Sequence, residues 1–273
     1  MNIYKKRILF AIRPTIILLS LCAIFINSQG QSPIDSTRIV RLMTFNIYHG
    51  ETMKGDFDLD RIANVIKSVS PDLVALQEVD LKTNRVKKLD LATELAVRTG
   101  LVPLFGKAMS FDSGEYGEGV LSGFSFLYTK NHALPFQPGK EPRAALEVNV
   151  IINSGDTIRF IGTHLDHTSD ETDRINQAKR LVELFSKDDR PSILAGDLNA
   201  KPESTTINLL LQEWSKSFSE DAPTFPSENP RVKIDYILFR PANRWRVLET
   251  KVIDEKIASD HSPVLVILEL LPE

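Results

Sequence analysis

Short apolar runs alternate with helical periods along most of the chain. The runs IVRLMTFNI, DLVALQEV, VLSGFSFLY, RAALEVNVII, TIRFIGTHL, SILAGD, KIDYILF, RWRVLETKVI and SPVLVILEL are rich in branched and aromatic residues and predict strands. Leu59, Ile62, Ala63 and Ile66 recur at the spacing of one helix face, as do Ile175, Ala178, Val182 and Phe185. A third helix is predicted over DLATELAVRT, with Asp90 as its cap and Gly100 just past its end. Asp58 is the expected cap of the helix that opens at Leu59. The order begins β-α-β and then turns strand-rich, which argues for paired sheets with helices outside rather than one doubly wound parallel sheet. No repeat or long linker interrupts residues 36–271, so they read as one domain.

The polar residues that break this pattern fall where strands end. Asn46 closes the first run and Glu78 the second, and His164 ends TIRFIGTHL shortly before Asp166 and His167. Asp197 and Asn199 end SILAGDLN, Asp235 lies inside KIDYILF, and Asp260 and His261 directly precede SPVLVILEL. Taken singly, each has an ordinary explanation as a turn former, a solvated strand end or half of an ion pair. Six strands that together deliver carboxylates, carboxamides and imidazoles exceed what turns require. Hard oxygen donors of this kind suit Mg²⁺ rather than a soft metal, which argues against a histidine metal site at His49 or His167.

In this order and at these separations, TFNIYHG, LQEVD, GTHLDH, GDLNAKP, IDYI and SDHSPV resemble the endonuclease/exonuclease/phosphatase superfamily, from about residue 40 to 268. The resemblance implies an α/β four-layer sandwich, two mixed β-sheets face to face with helices outside, and a metal-assisted phosphoester hydrolase. It implies Glu78 and Asn46 as metal ligands with Asp260 beside them, and Mg²⁺ or Mn²⁺ as the ion. Asp197 becomes the general base, Asn199 an orienting amide, His261 a phosphate-binding imidazolium held by Asp235, and His164 a second phosphate donor. Arg143 and Arg85 are candidate phosphate clamps, each equally readable as a solvated surface arginine. Tyr116, Glu118 and Ser122 lie where many relatives carry a Gly-Asn pair, and Glu118 in place of the asparagine puts a phosphate contact there in doubt. His132 reads as a surface residue.

Composition narrows the picture further. Lys5, Lys6, Arg7 and Arg13 precede the apolar TIILLSLCAIFI and the polar NSQGQS, so residues 1–30 read as a secretory signal and residues 31–273 as the exported domain, periplasmic or extracellular. An uncleaved anchor is the alternative, but Arg13 and Pro14 leave too short an apolar run to span a bilayer. The single cysteine, Cys22, falls within this segment, so no disulfide is expected in the exported chain. Residues 1–30 hold four basic and no acidic residues, which leaves 29 basic against 36 acidic in the rest. An acidic chain disfavours long polyanions. The expected substrate is therefore a small-molecule or lipid-headgroup phosphoester acted on by a monomer. A secreted DNase I-like nuclease and a non-catalytic binding protein on the same scaffold are the alternatives.

Overall fold

The computed structural model describes residues 34–273; the expected signal segment and Cys22 lie outside the described residues. The strands are β1 (Ile39–Asn46), β2 (Leu73–Leu81), β3 (Val102–Phe111), β4 (Gly114–Ser122), β5 (Phe126–Ala133), β6 (Ala144–Ile151), β7 (Thr157–His164), β8 (Ser192–Asp197), β9 (Ser215–Lys216), β10 (Asp235–Arg240), β11 (Trp245–Val252) and β12 (Val264–Leu270). They form two six-stranded sheets, ordered β11-β12-β1-β2-β4-β3 and β5-β6-β7-β8-β10-β9. The helices are α1 (Leu59–Val69), α2 (Leu91–Thr99), α3 (Thr172–Phe185) and α4 (Thr205–Leu210). Both sheets are mixed, with β1–β2 and β7–β8 parallel and their other neighbours antiparallel.

Alternation along each strand explains the layering. Val40, Leu42, Leu73 and Ala75 of the first sheet meet Val148, Phe160, Ile193 and Ile237 of the second in a core between the sheets. The opposite face of the first sheet buries Met43, Phe45 and Val74 against Ile62, Ile66 and Leu95 of α1 and α2. The outer face of the second buries Ile161, Leu194 and Leu238 against Ala178, Leu181 and Phe185 of α3. Each of these side chains larger than alanine contributes about 1.5–3 kcal/mol when fully buried. The expected four-layer sandwich is the fold observed. Asp58 and Asp90 cap α1 and α2 through the amides of Arg61 and Thr93, and Gly100 ends α2 in the left-handed conformation.

Three departures have local causes. VLSGFSFLY is not one strand: Ser122 folds its hydroxyl onto both the amide and the carbonyl of Phe124, and the chain leaves the first sheet there to begin β5 in the second. β3 was not legible, because as an edge strand it alternates weakly and holds Pro103 and Gly106. His132 is not a surface residue. Its Nε2 lies 2.8 Å from Glu147, and its ring meets Phe185 edge-on. None of the helices among the described residues is long and apolar enough to cross a membrane.

Lys233, just before β10, is 4 % exposed, with its ammonium 4.0 Å from the Phe218 ring centroid. Burial lowers its pKa from 10.5 to about 8, against the pull of Asp235 and Asp221. Between those values the unfolded chain binds more protons than the folded one, so stability gains from this group as pH rises. Denaturation from pH 8 to 10 should show that rise, up to roughly 3 kcal/mol, relative to Lys233→Met, in which it is absent.

Candidate active site

Strand register collects the polar residues at one end of the sandwich. In the second sheet His164 pairs with Asp197, and Asp197 with Asp235, so three neighbouring strands present one row of titratable side chains. Asn46 ends β1 in the first sheet, opposite Gln77. His261, three residues before β12 of the first sheet, reaches across to this row. Its Nδ1 lies 3.0 Å from Asp235 and its Nε2 3.7 Å from Asp197.

Glu78 reaches the site through a β-bulge. Leu76 faces Gly119 and Val79 faces Gly117, so Gln77 and Glu78 together oppose Glu118. Unbroken alternation would put Glu78 on the same face as Leu76 and turn Val79 to the other, yet both leucine and valine pack toward α1 and α2. The extra residue, with Glu78 at φ 60, restores that parity and leaves the Glu78 carboxylate lining the cavity. The Asn46 carboxamide donates to Glu78 at 3.1 Å and to Asp197 at 3.2 Å, while its oxygen accepts from the Tyr48 amide.

Burial dominates the titration of these groups. It raises Asp197 to about 7, with Asp235 adding to the rise and His261 opposing it. His261 would be lowered by burial, but Asp235 and Asp197 push it up to about 10 and keep it an imidazolium. Burial and the neighbouring Arg143 charge hold His164 well below its ordinary value. Arg143 Nη1 donates to His164 Nδ1 at 3.0 Å, which leaves Nε2 as the protonated nitrogen, 3.4 Å from Asp197.

Asp197, His261, His164, Arg143 and Glu78 line a cavity of about 360 Å³, together with Tyr48, Phe111, Tyr116, Arg85, Glu141 and Phe225. Arg143 is 2 % exposed, which removes the solvated-surface reading. Its Nη2 is also held by Glu141 at 2.9 Å and His167 at 3.1 Å. The strand stops at Asp197, and Asn199 adopts φ 47 with its amide bonded to Asp197 Oδ1, an Asx turn. Asn199 Nδ2 donates to the Leu165 carbonyl, so one amide hydrogen remains for the cavity. Glu118 is fully buried beneath the cavity with neither carboxyl oxygen hydrogen-bonded, and burial raises its pKa well above the ordinary value. Ser122 bonds Phe124 and takes no part in the cavity. The sequence reading missed Glu141 and Phe225, because a glutamate beside Pro142 and an aromatic in a loop carry no periodic signal.

The donor set fits a hard cation. Glu78 and Asp260 both line the cavity, and Asp260 is raised by burial and then by the Glu78 charge, a repulsion that a divalent ion would remove. Burial would raise Glu78 as well, yet His49, Asn46 and His261 hold it below its ordinary value and keep it anionic. Asp197, Asp235 and His261 also offer ligand atoms within 4.8 Å of one another. That trio already holds an internal cation, His261, which offsets one of its two carboxylates, so the Glu78 side is the better cation site. Asn46 would join it by turning its carboxamide oxygen toward Glu78.

The family model of the Endonuclease/Exonuclease/phosphatase family matches residues 43–261. Among curated proteins, the uncharacterized protein YbhP of Escherichia coli K12 is 24% identical over 241 residues, covering 82% of this chain and 94% of its own. Among solved structures, an endonuclease/exonuclease/phosphatase from Beutenbergia cavernae superposes with a TM-score of 0.75 at 24% identity, covering 86% of this chain and 72% of its own. A mannosyl-6-phosphatase from Bacteroides thetaiotaomicron superposes with a TM-score of 0.70 at 18% identity, covering 84% and 99%.

Gly196 sets the position of Asp197. A Cβ at this residue would lie 1.9 Å from the Thr163 carbonyl oxygen, so β8 must move away from β7 to accept one. Gly196→Ala should therefore destabilise the fold by about 2 kcal/mol or more in urea titrations.

Proposed function

The chain belongs to the endonuclease/exonuclease/phosphatase family, whose members are mostly metal-dependent phosphoester hydrolases, and from that premise we propose an exported Mg²⁺-dependent phosphoesterase acting on a small phosphoester such as a sugar phosphate or a lipid headgroup. The observation that carries this reading is His261, seated between Asp197 and Asp235 in a cavity that also holds Arg143 and His164.

Asp197 takes the proton of the attacking water, and a carboxylate near pH 7 is matched to that task. His261, kept cationic by Asp235, donates to a phosphoryl oxygen from Nε2. His164 donates from its own Nε2, since Arg143 occupies Nδ1. Arg143 adds positive charge where the transition state gathers negative charge. A divalent ion held by Glu78 and Asp260, with Asn46 beside them, would polarise the phosphoryl group and favour departure of the alkoxide. Asn199 orients water and phosphate with its remaining amide hydrogen.

The cavity volume suits a sugar-sized group, and the likeness in fold to a mannosyl-6-phosphatase supports a sugar phosphate. Residues 1–30 support export, and a monomer suffices because the cavity is lined from within one chain. Residues 31–273 should hydrolyse p-nitrophenyl phosphate or its diester with Mg²⁺ or Mn²⁺ and lose that activity in EDTA. Asp197→Ala and His261→Ala should each lower kcat by about a hundredfold or more with the fold intact by circular dichroism. Full activity in either variant would remove its assigned role, and faster cleavage of plasmid DNA than of sugar phosphates would favour a nuclease.

A further inference from the structure

Arg85 lines the same cavity but has no part in the chemistry above. Its Nε and Nη2 donate to the two oxygens of Asp80, at 2.6 and 2.7 Å. Its guanidinium carbon lies 4.7 Å from the Phe111 ring centroid. Asp80 is fully buried, and its carboxylate accepts from Thr83 as well. Asp112 takes both the Arg85 backbone amide and the Asn84 side chain, so the loop after β2 is pinned at a second point. A guanidinium held by a fork of hydrogen bonds and an aromatic face loses its rotamer freedom before any ligand arrives.

Two further observations separate this arrangement from a purely structural pair. Nη1 has no acceptor among the described residues, although the Arg85 side chain is only 31 % exposed. The loop also places Lys82, Lys87 and Lys88 in solvent, against the single acidic residue Asp90 within residues 81–90. Neutralising Asp80 needs two guanidinium nitrogens and no basic rim. Arg143 directly precedes β6 of the second sheet, whereas Arg85 follows β2 of the first, so each sheet brings a guanidinium to the cavity.

We propose that Arg85 forms a second anion subsite, so that the substrate is a small phosphoester carrying another anionic group, a phosphate or a carboxylate, away from the bond that is cut. This deepens, and rests on, the phosphoesterase reading. Arg85 holds that second group, and Lys82, Lys87 and Lys88 draw it toward the mouth of the cavity.

The test is calorimetric binding of three probes to Asp197→Asn protein in Mg²⁺: glucose 6-phosphate, glucose 1,6-bisphosphate and 6-phosphogluconate. At least one doubly anionic probe should bind about tenfold or more tightly than glucose 6-phosphate. Whichever gains more identifies the second group as phosphate or carboxylate. Adding Arg85→Gln should erase the advantage, and so should Asp80→Asn with Arg85→Gln, a pair that leaves no buried carboxylate unpartnered. Arg143→Gln should instead weaken all three probes. Equal affinity for the three probes, or an advantage that survives in the folded Asp80→Asn/Arg85→Gln protein, overturns the subsite. Hydrolysis of p-nitrophenyl phosphate by the unaltered chain distinguishes that failure from failure of the phosphoesterase reading, because it needs no second anion.

Discussion

The pairing of β8 with β10 sets two carboxylates, Asp197 and Asp235, directly opposite each other in a buried row. Like charges in that relation destabilise a sheet, and burial makes the repulsion worse. His261 resolves it, and from the other sheet: it precedes β12, whereas the two aspartates belong to β8 and β10. The same contact therefore stitches the sheets together at the open end of the sandwich. Its supports follow the same logic. The Ser259 hydroxyl bonds the Asn46 carbonyl at 2.6 Å and accepts the His261 amide, which ties the histidine's segment to the end of β1. Remove the positive charge, and the row becomes a cost to folding as well as to chemistry.

A second consequence is a division of labour between the two histidines. Both approach Asp197, but their far nitrogens meet opposite partners. Asp235 accepts from His261, which stays cationic, while Arg143 donates to His164, which stays neutral. One imidazole brings charge and the other only a directed N–H. The identity of the third residue in each chain of contacts, carboxylate or guanidinium, decides which.

Much of this was legible in the sequence, because a polar residue at the end of an apolar run signals itself. Asn46, His164, Asp197 and Asp235 could be found that way, and register then brought the last three together. What escaped depends on geometry that alternation does not encode. Arg143 was as readable as a surface arginine as it was as a phosphate clamp, because nothing in KEPRAAL indicates that its guanidinium folds under His164 and His167. His132 looked exposed because the residues around it are, yet its ring packs over Phe185 of α3, far along the chain. β3 went unread because an edge strand is wetted on one side and need not alternate.

The bulge at Gln77 and Glu78 separates the scaffold from the site by a single residue. A chain lacking one of the two would pair Leu76 and Val79 with their partners in an unbroken ladder, with both still facing α1 and α2. The fold therefore does not need the inserted residue, and at φ 60 position 78 disfavours only branched side chains. Beyond that backbone preference, drift at position 78 is policed by chemistry. Descendants that keep both cores and lose activity are thus reached by one substitution, and an inert relative of this protein would be hard to tell from an active one by stability or shape.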